Sequence, residues 1–219
     1  MGVICNGLQK SGVRLLQRAV ELMGWTPAPD KFSRTVTKRE WRHEPYGPGF
    51  CTLGEHEVAY THIPYPADIG KHQFIGIIRD PRNVLISAYR WQYRHNPLTA
   101  TEARTSLEHM MTPRFFMRAS QFVDWPRHRL VFRFEDMVGP SREIHVQVLA
   151  DILEVEIDAE TIAAQMIGGT RTYQPQHSRW QDIWTPDLDK RWKERGGEDL
   201  VKAYGYTQEG EEGGVEWKR

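Results

Sequence analysis

An α/β fold with a central, mainly parallel sheet is what this sequence predicts, from two apolar runs that each turn directly into a helical pattern and from the lack of any internal repeat. The first run is Val3, Ile4 and Cys5; the second is Phe74, Ile75, Ile77 and Ile78, broken only by Gly76. The second is too continuous for a strand with one wet face and suits a central parallel strand covered on both. With 219 residues the chain is long enough for one domain with an adequate core.

Taking the elements in order, residues 6–11 form a glycine-bearing loop after the first strand. From 12 to 23 the apolar positions Val13, Leu16, Val20 and Met23 keep helical spacing. A strand, loop and helix in that order point the first helical amides at a ligand, where the dipole favours an anion, and Lys10 and Ser11 add an ammonium and a hydroxyl. The spacing is not that of a Walker A loop, because Lys-Ser precedes the second glycine, Gly12. Residues 24–50 are rich in Pro, Gly, Arg and Trp and hold no helical period. They read as an irregular or short-stranded excursion over the sheet's carboxyl edge, in which Arg39, Trp41, Arg42 or His43 grips a ligand, or equally as a solvated connector. Glu57–Thr61 spells a strand ending at His62, and Pro64 and Pro66 oppose immediate helix growth. An isolated histidine is more often structural. At a strand end it can also act as a base, since an ordinary pKa of about 6.5 leaves it neutral at working pH.

After the second run the chain turns at Arg79. Asp80 offers an N-cap oxygen, Pro81 fits the first helical position, and the helix that follows is expected to carry Val84, Leu85, Ala88 and Trp91 inward. This turn lies at the carboxyl end of its strand, where open α/β sheets bind ligands. Arg79 presents a fork of donors, and Ser87 returns to the same helix face about two turns past Asp80. The pair suits one phosphate; alternatively Arg79 pairs with a carboxylate and Ser87 is merely a small helix residue. Residues 93–112 show only weak periodicity. A helix is predicted over 113–125, a strand over 130–134, a helix over 142–153 with apolar spacing at Ile144, Val148 and Ile152, and a short helix over 159–167 ended by Gly168-Gly169.

Lys+Arg and Asp+Glu are both 29, so no global basic field argues for nucleic acid. The 8 Trp are numerous enough to line a ligand pocket, although any single one is more readily a core residue. Cys5 and Cys51 supply neither a disulfide framework nor metal-ligand spacing. No apolar run approaches the roughly 18 residues of a membrane span, and Met1 leads within two residues into the first strand, which leaves no room for a signal. The expectation is a soluble, cytoplasmic protein without membrane insertion, although a catalytic fragment freed of an anchor would read the same way.

Five segments together carry a family resemblance. QKSGVR at 9–14 resembles the 5′-phosphosulfate loop, P-K-S-G-T-T or K-G-G-T-R, of sulfotransferases that use 3′-phosphoadenosine 5′-phosphosulfate (PAPS). RDPRNVLIS at 79–87 is similar at nearly every defined position to that family's 3′-phosphate motif, R-D-P-R-D-V-x-x-S. YTHIP at 60–64 resembles K-T-H-L-P, whose histidine is the catalytic base; FRFEDM at 132–137 resembles Y-E-D-[LM]; AYGY at 203–206 resembles L-G-Y. All five keep the family's order. The departures are Val13 and Arg14 for two threonines, Leu15 for a tryptophan that meets adenine, and Phe134 for tyrosine. The late R-K-G-x-x-G-[DE]-W clamp survives only as residues 170–180, with Arg171 and Trp180 as its nearest equivalents.

The resemblance implies a three-layer, P-loop-like sulfotransferase fold over residues 1–206, with 207–219 as a mobile tail. It implies sulfuryl transfer from PAPS to a hydroxyl, less readily an amine, of a small-molecule, lipid or carbohydrate acceptor. Lys10 would neutralise charge on the leaving oxygen; Ser11, Gly12, Val13 and Arg14 would hold the 5′-phosphosulfate; Arg79, Ser87, Arg171 and Trp180 would hold the 3′-phosphate. His62 would take the acceptor's proton, and no metal is required. Residues 170–182 would be a lid over the cofactor. Two other readings stay open: a small-molecule kinase, which would bind ATP with magnesium, and a nucleotide-binding module without turnover. No motif encodes the acceptor or the oligomeric state.

Overall fold

The computed structural model describes residues 2–28, 53–62, 72–96, 98–123, 130–168 and 180–207. In chain order the elements are β1 (Val3–Asn6), α1 (Val13–Leu22), β2 (Thr26–Pro27), β3 (Glu57–Thr61), β4 (Gln73–Ile78), α2 (Pro81–Gln92), α3 (Ala100–Met110) and α4 (Pro113–Ser120). There follow β5 (Leu130–Arg133), α5 (Phe134–Val138), α6 (Arg142–Ile152), α7 (Ala159–Met166), a 3-10 turn (Trp180–Asp182), α8 (Pro186–Glu194) and α9 (Gly197–Ala203). They fall into two compact units, Met1–Ile78 with Asp124–Pro175, and Arg79–Val123 with Gln176–Arg219.

The first unit holds a five-stranded sheet in the order β2-β3-β1-β4-β5, parallel at every pairing. All of β1 and the last four residues of β4 are buried, which is why their sequences run apolar instead of alternating. The register sets Asn6 opposite both Thr61 and Gly76, so β1 and β3 end level at their carboxyl edge while β4 runs two residues further, to Ile78. The core joins Val3 and Cys5 of β1, Leu16, Ala19 and Val20 of α1, and Ile75 and Ile77 of β4 to Leu149 of α6 and Ala163 of α7. Each valine, leucine or isoleucine among them contributes about 1.5–3 kcal/mol when fully buried. Burial pushes the Cys5 thiol well above its ordinary range, so Cys5 is a neutral packing residue.

The second unit is helical. Trp192 is 1% exposed and lies 5.0 Å from the ring of Phe116 and 5.6 Å from that of Trp184. Gly197 approaches the Trp192 ring so closely that a Cβ there would overlap it. The Tyr204 hydroxyl donates to the Ala119 carbonyl at 2.8 Å and ties the end of α9 to α4.

Several expectations are corrected. The stretch 93–112 contains a full helix, α3, whose start is a capping box made by Thr99 and Glu102; amphipathic periodicity is weak because Ser106 and Leu107 are its only buried residues. Helix α4 stops at Ser120, short of 125, and β5 stops at Arg133, where Phe134 opens a helix. On α2 the buried residues include Ile86 and Tyr89, whereas Ala88 and Trp91 are only half-buried; three successive buried positions, Val84 to Ile86, mark a wide arc and not a stripe. On α6 the inward stripe is Val146, Leu149 and Ala150, continued by Leu153, while Ile144 is 65% exposed and Val148 41%.

Candidate functional site

β1 runs out at Asn6, whose Oδ1 accepts the Gly7 amide at 2.7 Å. Gly7 then passes against the Ile77 carbonyl, and a Cβ on it would lie 2.5 Å from Ser11 Oγ, so no larger residue fits without displacing the loop. Leu8 to Ser11 closes as a turn, the Ser11 amide donating to the Leu8 carbonyl at 3.0 Å, with Lys10 in the left-handed region at φ 72. A non-glycine residue held there stores roughly 1–3 kcal/mol, and such strain gathers at ligand loops. Gly12 also has positive φ, 108, and its Cα faces the Phe134 ring. No side chain caps α1, and its first amides lack intrahelical acceptors. The loop therefore offers an anion a set of amides, the positive end of a helix and a half-buried Lys10. Ser11 Oγ is fully buried with no hydrogen-bond partner among the described residues, an unmet demand of the kind a bound oxyanion would satisfy.

β3 ends level with β1, and its next residue is His62. The His62 Nδ1 lies 2.7 Å from the Gly7 carbonyl. A carbonyl only accepts, so Nδ1 carries the proton and the neutral ring keeps its lone pair on Nε2. The structure thus brings His62 against Gly7, in the loop that carries Lys10, Ser11 and Gly12 and leads into Val13 and Arg14 at the start of α1. Arg14 is exposed, stacks over the Tyr60 ring with its guanidinium carbon 3.6 Å from the centroid, and donates through Nη1 to Gln17 Oε1 at 3.0 Å. Leu15 is buried in the core.

In the second unit, Asp80 caps α2 as expected, its Oδ1 accepting the Arg82 amide at 2.8 Å, with Pro81 in the first turn. Arg79, half-buried, immediately precedes that cap, and Ser87 is half-buried within the helix. Trp180 reaches the start of α2: its amide donates to Asn83 Oδ1 at 2.9 Å, and the Arg82 guanidinium lies 3.9 Å from its ring centroid. Sequence reasoning passed over Arg82 and Asn83. An arginine two residues after a capping aspartate was the available signal, since it can reach back to the same carboxylate. Arg171 lies outside the described residues, as do Arg39, Trp41, Arg42 and His43, most of the proposed lid and nearly all of the tail.

No family model and no curated protein sequence matches the chain. Solved structures do. A mouse sulfotransferase, SULT7A1, complexed with PAP superimposes with a TM-score of 0.64 at 14% identity, over 93% of this chain and 87% of that one. Retinol dehydratase in complex with androsterone and the inactive cofactor PAP gives 0.61 at 15% identity, over 92% and 80%. The same enzyme with retinol and PAP gives 0.56 at 16%, over 92% and 81%. The chain has the sulfotransferase fold. A three-layer α/β architecture on a central parallel sheet is thereby established, and on this sulfotransferase fold the glycine loop and His62 occupy the carboxyl edge of the strands. Among the described residues no group of three or more His, Cys, Asp or Glu is placed to hold a metal ion, and no helix is long and apolar enough to cross a membrane.

Proposed function

We propose that the protein is a PAPS-dependent sulfotransferase acting on a hydroxyl, less readily an amine, of a small-molecule, lipid or carbohydrate acceptor. The observation that carries this reading is the hydrogen bond from His62 Nδ1 to the Gly7 carbonyl, which tethers a base to the anion loop and fixes its tautomer. The loop residues suit an anionic cofactor: Gly7 and Gly12 let the loop pack tightly against Ile77, Ser11 and Phe134, and the buried Ser11 hydroxyl lacks a partner among the described residues. PAPS, when bound, supplies the sulfuryl group. Ser11, Gly12, Val13 and Arg14 hold the 5′-phosphosulfate through backbone amides, and Lys10 sets its ammonium against charge growing on the leaving oxygen. Arg79, Ser87, Arg171 and Trp180 serve the 3′-phosphate, with Arg79 as the charged fork. His62 Nε2 accepts the acceptor's proton.

The test pairs cofactor affinity by calorimetry with product formation from labelled PAPS over a panel of phenols, alcohols and sugars. His62→Ala should leave affinity for 3′-phosphoadenosine 5′-phosphate (PAP) nearly intact and lower turnover about a hundredfold or more. Lys10→Met should weaken binding and lower turnover as well, because its ammonium acts in both the ground and the transition state. Wild-type turnover in His62→Ala on a competent acceptor would remove the base assignment.

A further inference from the structure

Tyr60 has no task in the scheme above, yet its ring lies between two residues that do. Tyr60 and His62 are two apart along one strand and its continuation, so they leave the sheet on one face. The His62 ring meets the Tyr60 ring edge-on, with centroids 5.8 Å apart and an interplanar angle of 67°. The Arg14 guanidinium lies over the same ring at 3.6 Å, the geometry of a cation on an aromatic face. Arg14 is exposed, and a long cation in that setting ordinarily samples many rotamers. Here the stack and the 3.0 Å bond to Gln17 Oε1 hold it in one, and Gln17 is itself only 5% exposed. A guanidinium stacked by its face keeps its N–H donors in its own plane, available to an anion at the first turn of α1.

We propose, on the sulfotransferase reading above, that Tyr60 is a positioning residue for both halves of the chemistry. Its face sets the Arg14 fork beside the phosphosulfate loop, and its steeply inclined contact with the His62 ring sets the plane of the imidazole. One ring thus couples cofactor binding to proton acceptance. Both contacts are made by the ring and neither by the hydroxyl, so phenylalanine should substitute where an aliphatic residue should not.

The experiment measures PAP affinity by calorimetry, kcat and KM for PAPS, and the His62 ring-proton NMR shifts, in wild type, Tyr60→Leu, Tyr60→Phe, Arg14→Ala and the Arg14→Ala/Tyr60→Leu double variant. Tyr60→Leu should weaken PAP about threefold to fivefold, as expected for losing a surface cation–aromatic contact. It should also lower kcat about tenfold by releasing the base, and abolish the ring-current displacement of the His62 protons. Tyr60→Phe should recover all but about twofold of these losses. Arg14→Ala should raise KM with little change in kcat, and the double variant should bind PAP no worse than Arg14→Ala alone, since the contact is already gone. Wild-type binding by Tyr60→Leu, additive losses in the double variant, or a Phe variant as poor as the Leu variant would each overturn the proposal while leaving the sulfotransferase reading intact. A wild-type protein that binds no PAP would sink both. Should Tyr60→Leu fold poorly, Tyr60→Gln, ringless and polar, takes its place with the same expectations.

Discussion

Arg82 is 1% exposed and spends its charge in three directions. Its Nη2 pairs with Asp80 Oδ2 at 2.6 Å and donates to the Thr207 carbonyl at 2.7 Å, while its face lies under Trp180. Asp80 is equally buried, at 2%. A buried pair of this kind is weak evidence of net stabilisation, but removing one member leaves the other charge buried with less to offset its desolvation. Arg82→Ala should therefore lower stability by about 3–5 kcal/mol, read from the urea midpoint. Asp80→Asn combined with Arg82→Met should recover much of that loss, because asparagine still caps α2 and no lone charge remains buried. A single-variant loss under about 1 kcal/mol would mean that solvent reaches Asp80 more freely than its burial indicates.

At the scale of elements, the start of α3 is fixed by a reciprocal cap. Thr99 Oγ1 accepts the Glu102 amide at 3.4 Å and donates to Glu102 Oε2 at 2.7 Å, while the Thr99 amide donates to the same oxygen at 2.9 Å. The bonds from the Thr99 hydroxyl, and then from its amide, hold the Glu102 carboxyl below its ordinary range. A carboxylate lowered in the folded state contributes stability above its unfolded pKa, about 4.3, and loses it as pH falls through the lower folded value. Thr99→Ala should thus cost about 1 kcal/mol at pH 7 as a lost N-cap. The part of that loss that comes through Glu102 should fade as the carboxyl protonates, so unfolding midpoints of the two proteins should converge in acid.

On α6 the structure separates two candidate stripes, and mutation separates them again. Leu149→Ala should cost about 2–5 kcal/mol, because Leu149 is fully buried. Ile144→Lys should change stability by no more than about 0.5 kcal/mol, since the side chain is mostly in water. Equal losses from the two would restore the stripe through Ile144, Val148 and Ile152.

For the whole molecule, the proposed assignments make a demand on ligand choice. PAP carries a 3′-phosphate for Arg79 and Ser87, and adenosine 5′-phosphate does not. At a ligand concentration of about 100 times its dissociation constant, PAP should stabilise the fold by about 2.7 kcal/mol, and adenosine 5′-phosphate at the same concentration by distinctly less. Arg79→Ala should erase most of the difference in a thermal-shift comparison. Equal shifts from the two nucleotides would remove the 3′-phosphate assignment, and a larger shift from ATP with magnesium would favour a kinase.

The sequence alone determined the features governed by neighbours along the chain. A continuous apolar run specified a buried parallel strand at Gln73–Ile78, Asp-Pro specified the start of α2, and glycines around Lys-Ser specified the loop between β1 and α1. Contacts between distant segments were decided only by tertiary structure. Ile144 and Leu149 are equally apolar as letters, and only the packing of α6 chooses between them. The bond between His62 and Gly7 spans 55 positions, and Trp180 finds Asn83 across 97. Parallel pairing of β1 with β3 sets the first, because strands that end level bring their next residues together; no local periodicity encodes which strands will be neighbours.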